Sequence, residues 1–116
     1  MLQPVRSETM SGETTAQVVR GLKILKRRLA QEIRVDRMIL FGSRARGDWL
    51  LNSDADVMII SPDFGNLRFV YRSAEVLRHW RGQVDLKVFC YTPTEVAERR
   101  REIGIIAQAL KEGRRI

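Results

Sequence analysis

The stretch GSRARGDWLLNSDADVMII, residues 42–60, sets two aspartates against an apolar run in the middle of a basic chain. Asp54 and Asp56 stand two residues apart, and residues 57–60 are all apolar, which is typical of a buried strand. Carboxylates at the mouth of such a strand repel each other and resist desolvation. The pattern therefore requires a compensating charge, and a bound metal ion is the first candidate.

A third carboxylate can join this pair. Residues i and i+2 of a strand point the same way and lie about 6.5 Å apart, so Asp54 and Asp56 present their oxygens to one point. Asp85 lies on another predicted strand, and if the two strands are neighbours, three carboxylates surround that point. Oxygen ligands of this kind suit Mg²⁺. Two such ions about 3.5 to 4 Å apart can clamp the attacking and leaving oxygens of a nucleotidyl displacement.

The turn before the aspartates supplies groups that attract phosphate. Gly42 lets the backbone approach a ligand closely, and Ser43 adds a hydroxyl where a short helix could begin. Arg46 is equally consistent with a phosphate contact and with a surface position, whereas a surface salt bridge is favoured for Arg44. The combination predicts a nucleoside triphosphate site. It is not a Walker loop, because the Lys and Ser/Thr of that motif are missing after Gly47.

Three helical segments are predicted outside this region. Apolar periodicity predicts helices in residues 14–33 and in residues 66–81, the second with Asn66 as its N-cap. Thr92 and Glu95 have capping-box spacing, which predicts a last helix that Gly104 could interrupt and Gly113 would end. The apolar residues expected to face the core from these helices are Val18, Leu22, Leu25, Leu29, Ile33, Leu67, Val70, Ala74, Leu77, Val96, Ile103, Ile106 and Leu110.

Apolar runs predict strands at residues 35–41 and 55–60, and a two-residue alternation predicts a third strand at residues 84–89. Alternation with the helices indicates an α/β (α+β) fold, in which helices flank a small mixed β-sheet. We expect one domain over residues 14–116 and a flexible polar arm over residues 1–13, because no repeat or interdomain linker interrupts the pattern.

Composition limits the class of protein. The longest apolar runs fall far short of the roughly 20 residues needed to span a bilayer, and the N-terminus has no apolar signal region. The single cysteine, Cys90, agrees with a reducing compartment, so a cytoplasmic location is expected. Its position at a strand end is typical of a small packed hydrophobe. A net charge of +7 favours polyanionic partners such as nucleotides, nucleic acid or acidic protein surfaces.

Residues 42–60 resemble the signature of the DNA polymerase beta nucleotidyltransferase superfamily. The shared features are Gly-Ser, a spacer with a basic residue and a glycine, Asp-x-Asp opening an apolar strand, and a third aspartate on a later strand, here in VDLKVF. Within that superfamily the chain is most similar to the MNT-type minimal nucleotidyltransferases, which usually accompany a HEPN-domain partner. The resemblance runs from about residue 14 to residue 115. Asp48 departs from it, since Glu is common there, as does the apolar segment Trp49-Leu50-Leu51.

The resemblance implies a polymerase-beta-like fold and a role for each motif residue. It implies that three carboxylates bind metal, with two Mg²⁺ ions in the site, and that the third also helps to activate the attacking hydroxyl: Asp54, Asp56 and Asp85. It implies that the triphosphate is held at Gly42, Ser43 and Arg46, while Ser53 orients the loop or touches phosphate.

The resemblance further implies transfer of AMP from ATP to a hydroxyl, expected on a tyrosine, of a partner HEPN-domain toxin, with this chain as the antitoxin. The chain has no extra domain to hold an acceptor, so the acceptor is expected on another macromolecule, in a homo- or hetero-oligomer. An alternative is an antitoxin that neutralises by binding alone and keeps the carboxylates as a remnant. Direct nucleic-acid binding ranks last, because aromatic content is only 7% and no nucleic-acid motif is present.

Overall fold

The computed structural model describes residues 14–46 and 54–116, so the arm expected at residues 1–13 lies outside it. Its α-helices are α1 (Thr15–Leu29), α2 (Ser43–Arg46), α3 (Phe69–Leu77), α4 (Pro93–Arg99) and α5 (Ile105–Glu112). Its strands are β1 (Arg37–Phe41), β2 (Ala55–Ile60), β3 (Leu86–Tyr91) and β4 (Arg114–Arg115). A 3₁₀ helix, Pro62–Asn66, connects β2 to α3. None of the described helices is long and apolar enough to cross a membrane.

The sheet is mixed, with strand order β3-β2-β1-β4. Strand β1 runs antiparallel to both β2 and β4, whereas β2 and β3 are parallel. This confirms the predicted fold class, a small mixed sheet with helices packed against it. The end of β1 and the starts of β2 and β3 therefore lie together at one end of the strands. The sequence motif falls at this end of the sheet, here called the aspartate edge.

Two apolar layers cover the two faces of the sheet. One face, which includes Leu40, Val57 and Ile59, packs against α1 and against Val76 of α3. The opposite face carries Ile39, Phe41, Met58, Ile60, Phe89 and Tyr91 and packs against α4 and α5. Alternation along each strand assigns successive side chains to these two layers. Four of the five residues expected to face the core from the first helix are fully buried, which confirms that helix. The fifth, Ile33, is only partly buried and lies beyond the end of α1, which stops four residues earlier than predicted.

The prediction for the second long helix was wrong in its start and its face. Asn66 ends the 3₁₀ helix, and α3 begins only at Phe69. The buried residues of α3 are Arg72 and Val76, while Val70 is 69% exposed. A polar residue at the inward position explains the error, because apolar periodicity assigns an arginine to the solvent side.

Arg72 is buried because the fold supplies it with three acceptors. Its guanidinium donates to the backbone oxygen of Leu67 at 3.1 Å, to the backbone oxygen of Cys90 at 3.2 Å and to the carboxylate of Glu95 at 2.8 Å. Glu95 is also the capping-box residue of α4 and accepts from the Thr92 amide at 2.8 Å. Arg72 therefore joins α3, the outer edge of β3 and the start of α4.

The C-terminal part differs from the prediction in two places. Gly104 does separate two helices, but Ile103, expected to face the core, is fully exposed in the turn before it. Beyond Gly113, residues 114–115 form the short strand β4 against β1, although the sequence pattern predicts no strand there. The Ile116 amide donates to the Met38 carbonyl at 2.9 Å and extends this pairing by one residue.

Candidate functional site

The bend after β1 brings the Gly-Ser segment against one aspartate of the motif. Phe41, the last residue of β1, pairs with Asp56 in the sheet register. Gly42 follows with a φ of 78°, in the left-handed region that glycine adopts without strain. A carbon added to Gly42 would collide with a carboxylate oxygen of Asp56. The glycine therefore lets the carboxylate lie directly over the bend, and Ser43 begins the single turn of α2 beside it.

The three aspartates of the motif lie at one edge of the sheet and on one face. Ala55 pairs with Leu86 in the parallel register, so Asp54 and Asp85 are side by side one residue before these strands begin. The Ala55 amide donates to the Asp85 carbonyl at 3.0 Å, which fixes that neighbourhood. Neighbouring strands are about 4.8 Å apart, and alternation gives all three side chains the same face. Asp85 is exposed, whereas Asp54 and Asp56 are half-buried.

The side chains of this cluster are not gathered into a closed set of ligands. In residues 14–46 and 54–116, no three His, Cys, Asp or Glu side chains converge enough to hold a metal ion. The type of donor nevertheless fits a hard divalent cation, since Mg²⁺ is usually bound by one or two carboxylates together with waters and substrate phosphates. The three aspartates lie together and are open to solvent on one side. This arrangement matches a site in which the protein provides only some of the ligands of the cation.

The segment predicted to bind phosphate is only partly described. Ser43 is half-buried, and Arg44, expected at the surface, is instead buried, with 1% exposure. The surface expectation for Arg44 was wrong because α2 packs against β1 and β2 and carries this side chain inward. Arg46 ends α2, but its side chain lies outside the described residues, as does Ser53. Their proposed contacts with phosphate stay predictions.

One charged residue of the site was not singled out from the sequence. Lys87 pairs with Asp56 in the register of β2 and β3 and is exposed. It therefore lies on the same face as the three aspartates, next to Asp56 and two residues beyond Asp85. The two-residue period of β3 would have identified it, because Asp85 and Lys87 must share a face. Among the described residues of the four strands, Lys87 is the positive charge closest in register to the carboxylates.

Two other reactive side chains have structural positions elsewhere. Cys90 is buried on the opposite face from the aspartates, and burial raises the pKa of its thiol to about 12, so it is an inert packed residue as predicted. His79 lies 3.3 Å from a carboxylate oxygen of Glu32, beyond the end of α3. Neither residue belongs to the aspartate edge.

Replacing Gly42 by alanine tests the bend. Gly42→Ala should lower the free energy of unfolding by about 1 to 2 kcal/mol, because a left-handed φ is unfavourable for alanine and the new methyl group would displace the Asp56 carboxylate. Urea denaturation measures the loss. Gly104→Ala is the matched control, since a carbon added at Gly104 meets nothing within 4 Å. Equal stability of the two variants would contradict the proposed contact.

Comparison with known proteins agrees with this geometry. The family model described as "Nucleotidyltransferase domain" matches residues 22–115, which include the glycine bend and all three aspartates. A protein of Sulfolobus solfataricus, described as a "putative nucleotidyltransferase", has a similar crystal structure, with a TM-score of 0.57. The two chains are 25% identical, and the similarity covers 90% of this chain and 86% of that one. No curated protein matches the sequence. Because the family model spans most of its length, the chain belongs to the nucleotidyltransferase domain family.

Proposed function

We propose that this nucleotidyltransferase transfers AMP from Mg·ATP to a tyrosine hydroxyl of a HEPN-domain toxin and so acts as its antitoxin. Nucleotidyl transfer follows from the family. The acceptor rests on the resemblance to MNT-type proteins and on the openness of the site. The observation that supports it most is the shared face of Asp54, Asp56 and Asp85 beside the Gly42 bend.

Each residue of the edge has a distinct task in this proposal. Asp54 and Asp56 would hold the divalent cation, which when bound supplies positive charge at the phosphates. Gly42, Ser43 and Arg46 would hold the triphosphate, with Ser53 ordering the loop. Asp85, the exposed carboxylate, receives the proton of the acceptor hydroxyl while the hydroxyl oxygen attacks the α-phosphorus. The bond from that phosphorus to the bridging oxygen of the β-phosphate breaks, and pyrophosphate leaves.

The acceptor is expected to be a macromolecule because the edge is open. Asp85 and Lys87 are both exposed, so a hydroxyl carried on a large partner can reach the carboxylate without entering a closed pocket. A tyrosine is long enough to project from a protein surface, and its hydroxyl ionises more readily than that of serine.

The decisive experiment is transfer of label. The protein is incubated with ATP radiolabelled at the α-phosphate, Mg²⁺ and the HEPN-domain protein encoded beside its gene. We expect label on that protein, none in the presence of EDTA, and none when the modified tyrosine is changed to phenylalanine. Absence of transfer with every metal and nucleotide tried would exclude the enzymatic function.

One observation favours a second candidate, an antitoxin that acts by binding alone. Among the described residues, the carboxylates do not converge into a group that could hold a metal ion. A site that keeps its carboxylates only as a remnant would have this arrangement. The candidates differ in rescue of cells that express the toxin. If the Asp54→Asn, Asp56→Asn double variant still rescues growth, binding alone is sufficient, whereas loss of rescue with intact binding shows that catalysis is needed.

Lys87 should contribute to binding of the nucleotide. Its ammonium group faces the same side as the carboxylates, and lysine binds phosphate as a point charge. Lys87→Met should raise KM for Mg·ATP about tenfold, as expected for the loss of one charge-assisted contact at an exposed site. The value of kcat should change little, and Lys87→Arg should restore most of the affinity. Steady-state kinetics with varied ATP distinguishes these parameters, and an unchanged KM in Lys87→Met would contradict this role.

A further inference from the structure

Three exposed large side chains surround the buried Tyr91 at the far end of β3, and the four residues are here called the β3-end patch: Phe69, Tyr91, Ile103 and Ile105. Phe69 is 57% exposed, Ile105 is 38% exposed and Ile103 is fully exposed. The ring of Tyr91 lies 5.9 Å from that of Phe69, and Tyr91 also lines a pocket of about 170 Å³ with the two isoleucines. Tyr91, itself only 9% exposed, therefore connects the three exposed side chains. Contiguous exposed apolar surface of this kind marks interaction sites.

The fold does not need Phe69, Ile103 or Ile105 in the core. Helix α3 packs through Arg72 and Val76 and leaves Phe69 at its outer end. Ile103 lies in the turn between α4 and α5, next to Gly104, where an added carbon would meet no other atom. An isoleucine on a projecting turn, beside a small pocket, is arranged as an anchor for a partner surface.

The patch and the candidate site lie at opposite ends of β3, on the same face of the sheet. Asp85, Lys87, Phe89 and Tyr91 alternate along β3 and face the same side. Six residues at about 3.3 Å each separate Asp85 from Tyr91 by about 20 Å. A partner that covered both would span a distance normal for a standard interface of about 800 Å² per side. The patch therefore lies where a protein that presents a hydroxyl to Asp85 would also make contact.

The charges near the patch favour an acidic partner over a second copy of this chain. Arg99 and Glu102 both line the pocket, and Arg68, a further positive charge, lies 5.9 Å from the ring of Tyr71 at the start of α3. Burial raises the pKa of Tyr91, and the nearby positive charge of Arg99 opposes that rise. A second copy would bring another net charge of +7 to the contact, whereas acidic side chains would complement it.

We propose that the β3-end patch is the docking surface for the acceptor protein, which places an apolar side chain in the pocket between Tyr91 and Ile103 and acidic side chains opposite Arg99. The identity of the acceptor as a HEPN-domain protein rests on the proposed function. The docking contact is a separate property of this chain, and its measurement does not require nucleotide transfer.

The experiment compares three variants in the full chain. Ile103→Glu places a negative charge at the anchor without disturbing the core, because Ile103 is fully exposed. Ile24→Glu is the matched control on α1, where Ile24 is 44% exposed on the other side of the sheet. Arg99→Glu tests the charge of the partner. Calorimetry gives Kd for the HEPN-domain protein encoded beside the gene, and separate titrations give the affinity for Mg·ATP.

We expect Ile103→Glu and Arg99→Glu each to weaken Kd for the acceptor protein at least tenfold, while Ile24→Glu changes it less than twofold. Affinity for Mg·ATP should be unchanged in all three variants. Weakened binding without label transfer in the wild type would support the docking surface and contradict the proposed function. Label transfer with unchanged Kd in Ile103→Glu would overturn the docking surface alone, and so would an absence of binding by the wild type. Ultracentrifugation that shows a dimer lost in Ile103→Glu would also overturn it, by identifying a second copy as the occupant.

Discussion

The Asp54→Asn, Asp56→Asn double variant should lose nucleotidyl transfer by about 10² to 10³-fold or more, the cost of removing a preorganised electrostatic group from an active site. Asparagine preserves the size of each side chain but removes the negative charge needed to hold a divalent cation. Label transfer to the acceptor under saturating ATP and Mg²⁺ measures the effect. Circular dichroism should show an unchanged fold, because both side chains are only half-buried at the sheet edge.

Asp36→Asn is the matched control for that experiment. Asp36 lies immediately before the first residue of β1, at the end of the strand away from the motif aspartates. Its carboxylate accepts a hydrogen bond from the Arg34 guanidinium at 2.8 Å at the surface. Neutralising it removes an exposed ion pair, which contributes little to stability, so transfer should stay within twofold of the wild type. Equal activity of the double variant and the control would contradict the assignment of the two motif aspartates.

Arg72→Met should lower the free energy of unfolding by about 2 to 3 kcal/mol, because three hydrogen bonds from a charged group are lost and two backbone oxygens are left without this donor. Methionine keeps most of the apolar volume, so the loss reports the polar contacts. Arg78→Met is the matched control at the end of the same helix, since its guanidinium is exposed and pairs with Glu75 and Glu32. Urea denaturation should show a smaller loss for Arg78→Met than for Arg72→Met. Losses of equal size would contradict the structural role of the buried arginine.

Lowering the pH should reduce the free energy of unfolding of the wild type more than that of the Arg72→Met variant. Burial alone would raise the pKa of Glu95, but the hydrogen bonds from Arg72 and Thr92 outweigh it and lower that pKa below its usual 4.5. A lowered carboxyl pKa contributes stability above the unfolded value that is lost as the pH falls through the folded value. The urea midpoint of the wild type should therefore fall between pH 5 and pH 3 more steeply than that of Arg72→Met. Parallel pH profiles would contradict this coupling.

The aspartate edge could be predicted from the sequence because its geometry is local. Strand β2 begins and ends at the predicted residues, and alternation alone determines that Asp54 and Asp56 share a face. That Asp85 joins them required only that two strands be neighbours, which the parallel register provides. The same alternation places Lys87 on this face.

The errors arose where distant partners decide the outcome. The inward position of Arg72 depends on Cys90 and Glu95, which are remote in sequence, so an amphipathic pattern could not assign the face of α3. The charge of Arg44 predicts a surface position, but α2 packs this side chain inward. Strand β4 is too short to show a period, and only β1 makes it a strand.

The short pairing of β4 with β1 also bears on the solubility of the chain. Two exposed arginines form the outer strand β4 on one side of the sheet. On the other side, where β3 is the outer strand, the Arg72 guanidinium covers the outward carbonyl of Cys90. An outer strand with unpaired backbone groups can pair with a strand of another chain, and positive charges on it discourage this pairing. A fragment that stopped at Gly113 would uncover the apolar strand β1 and could assemble with its own copies into fibres.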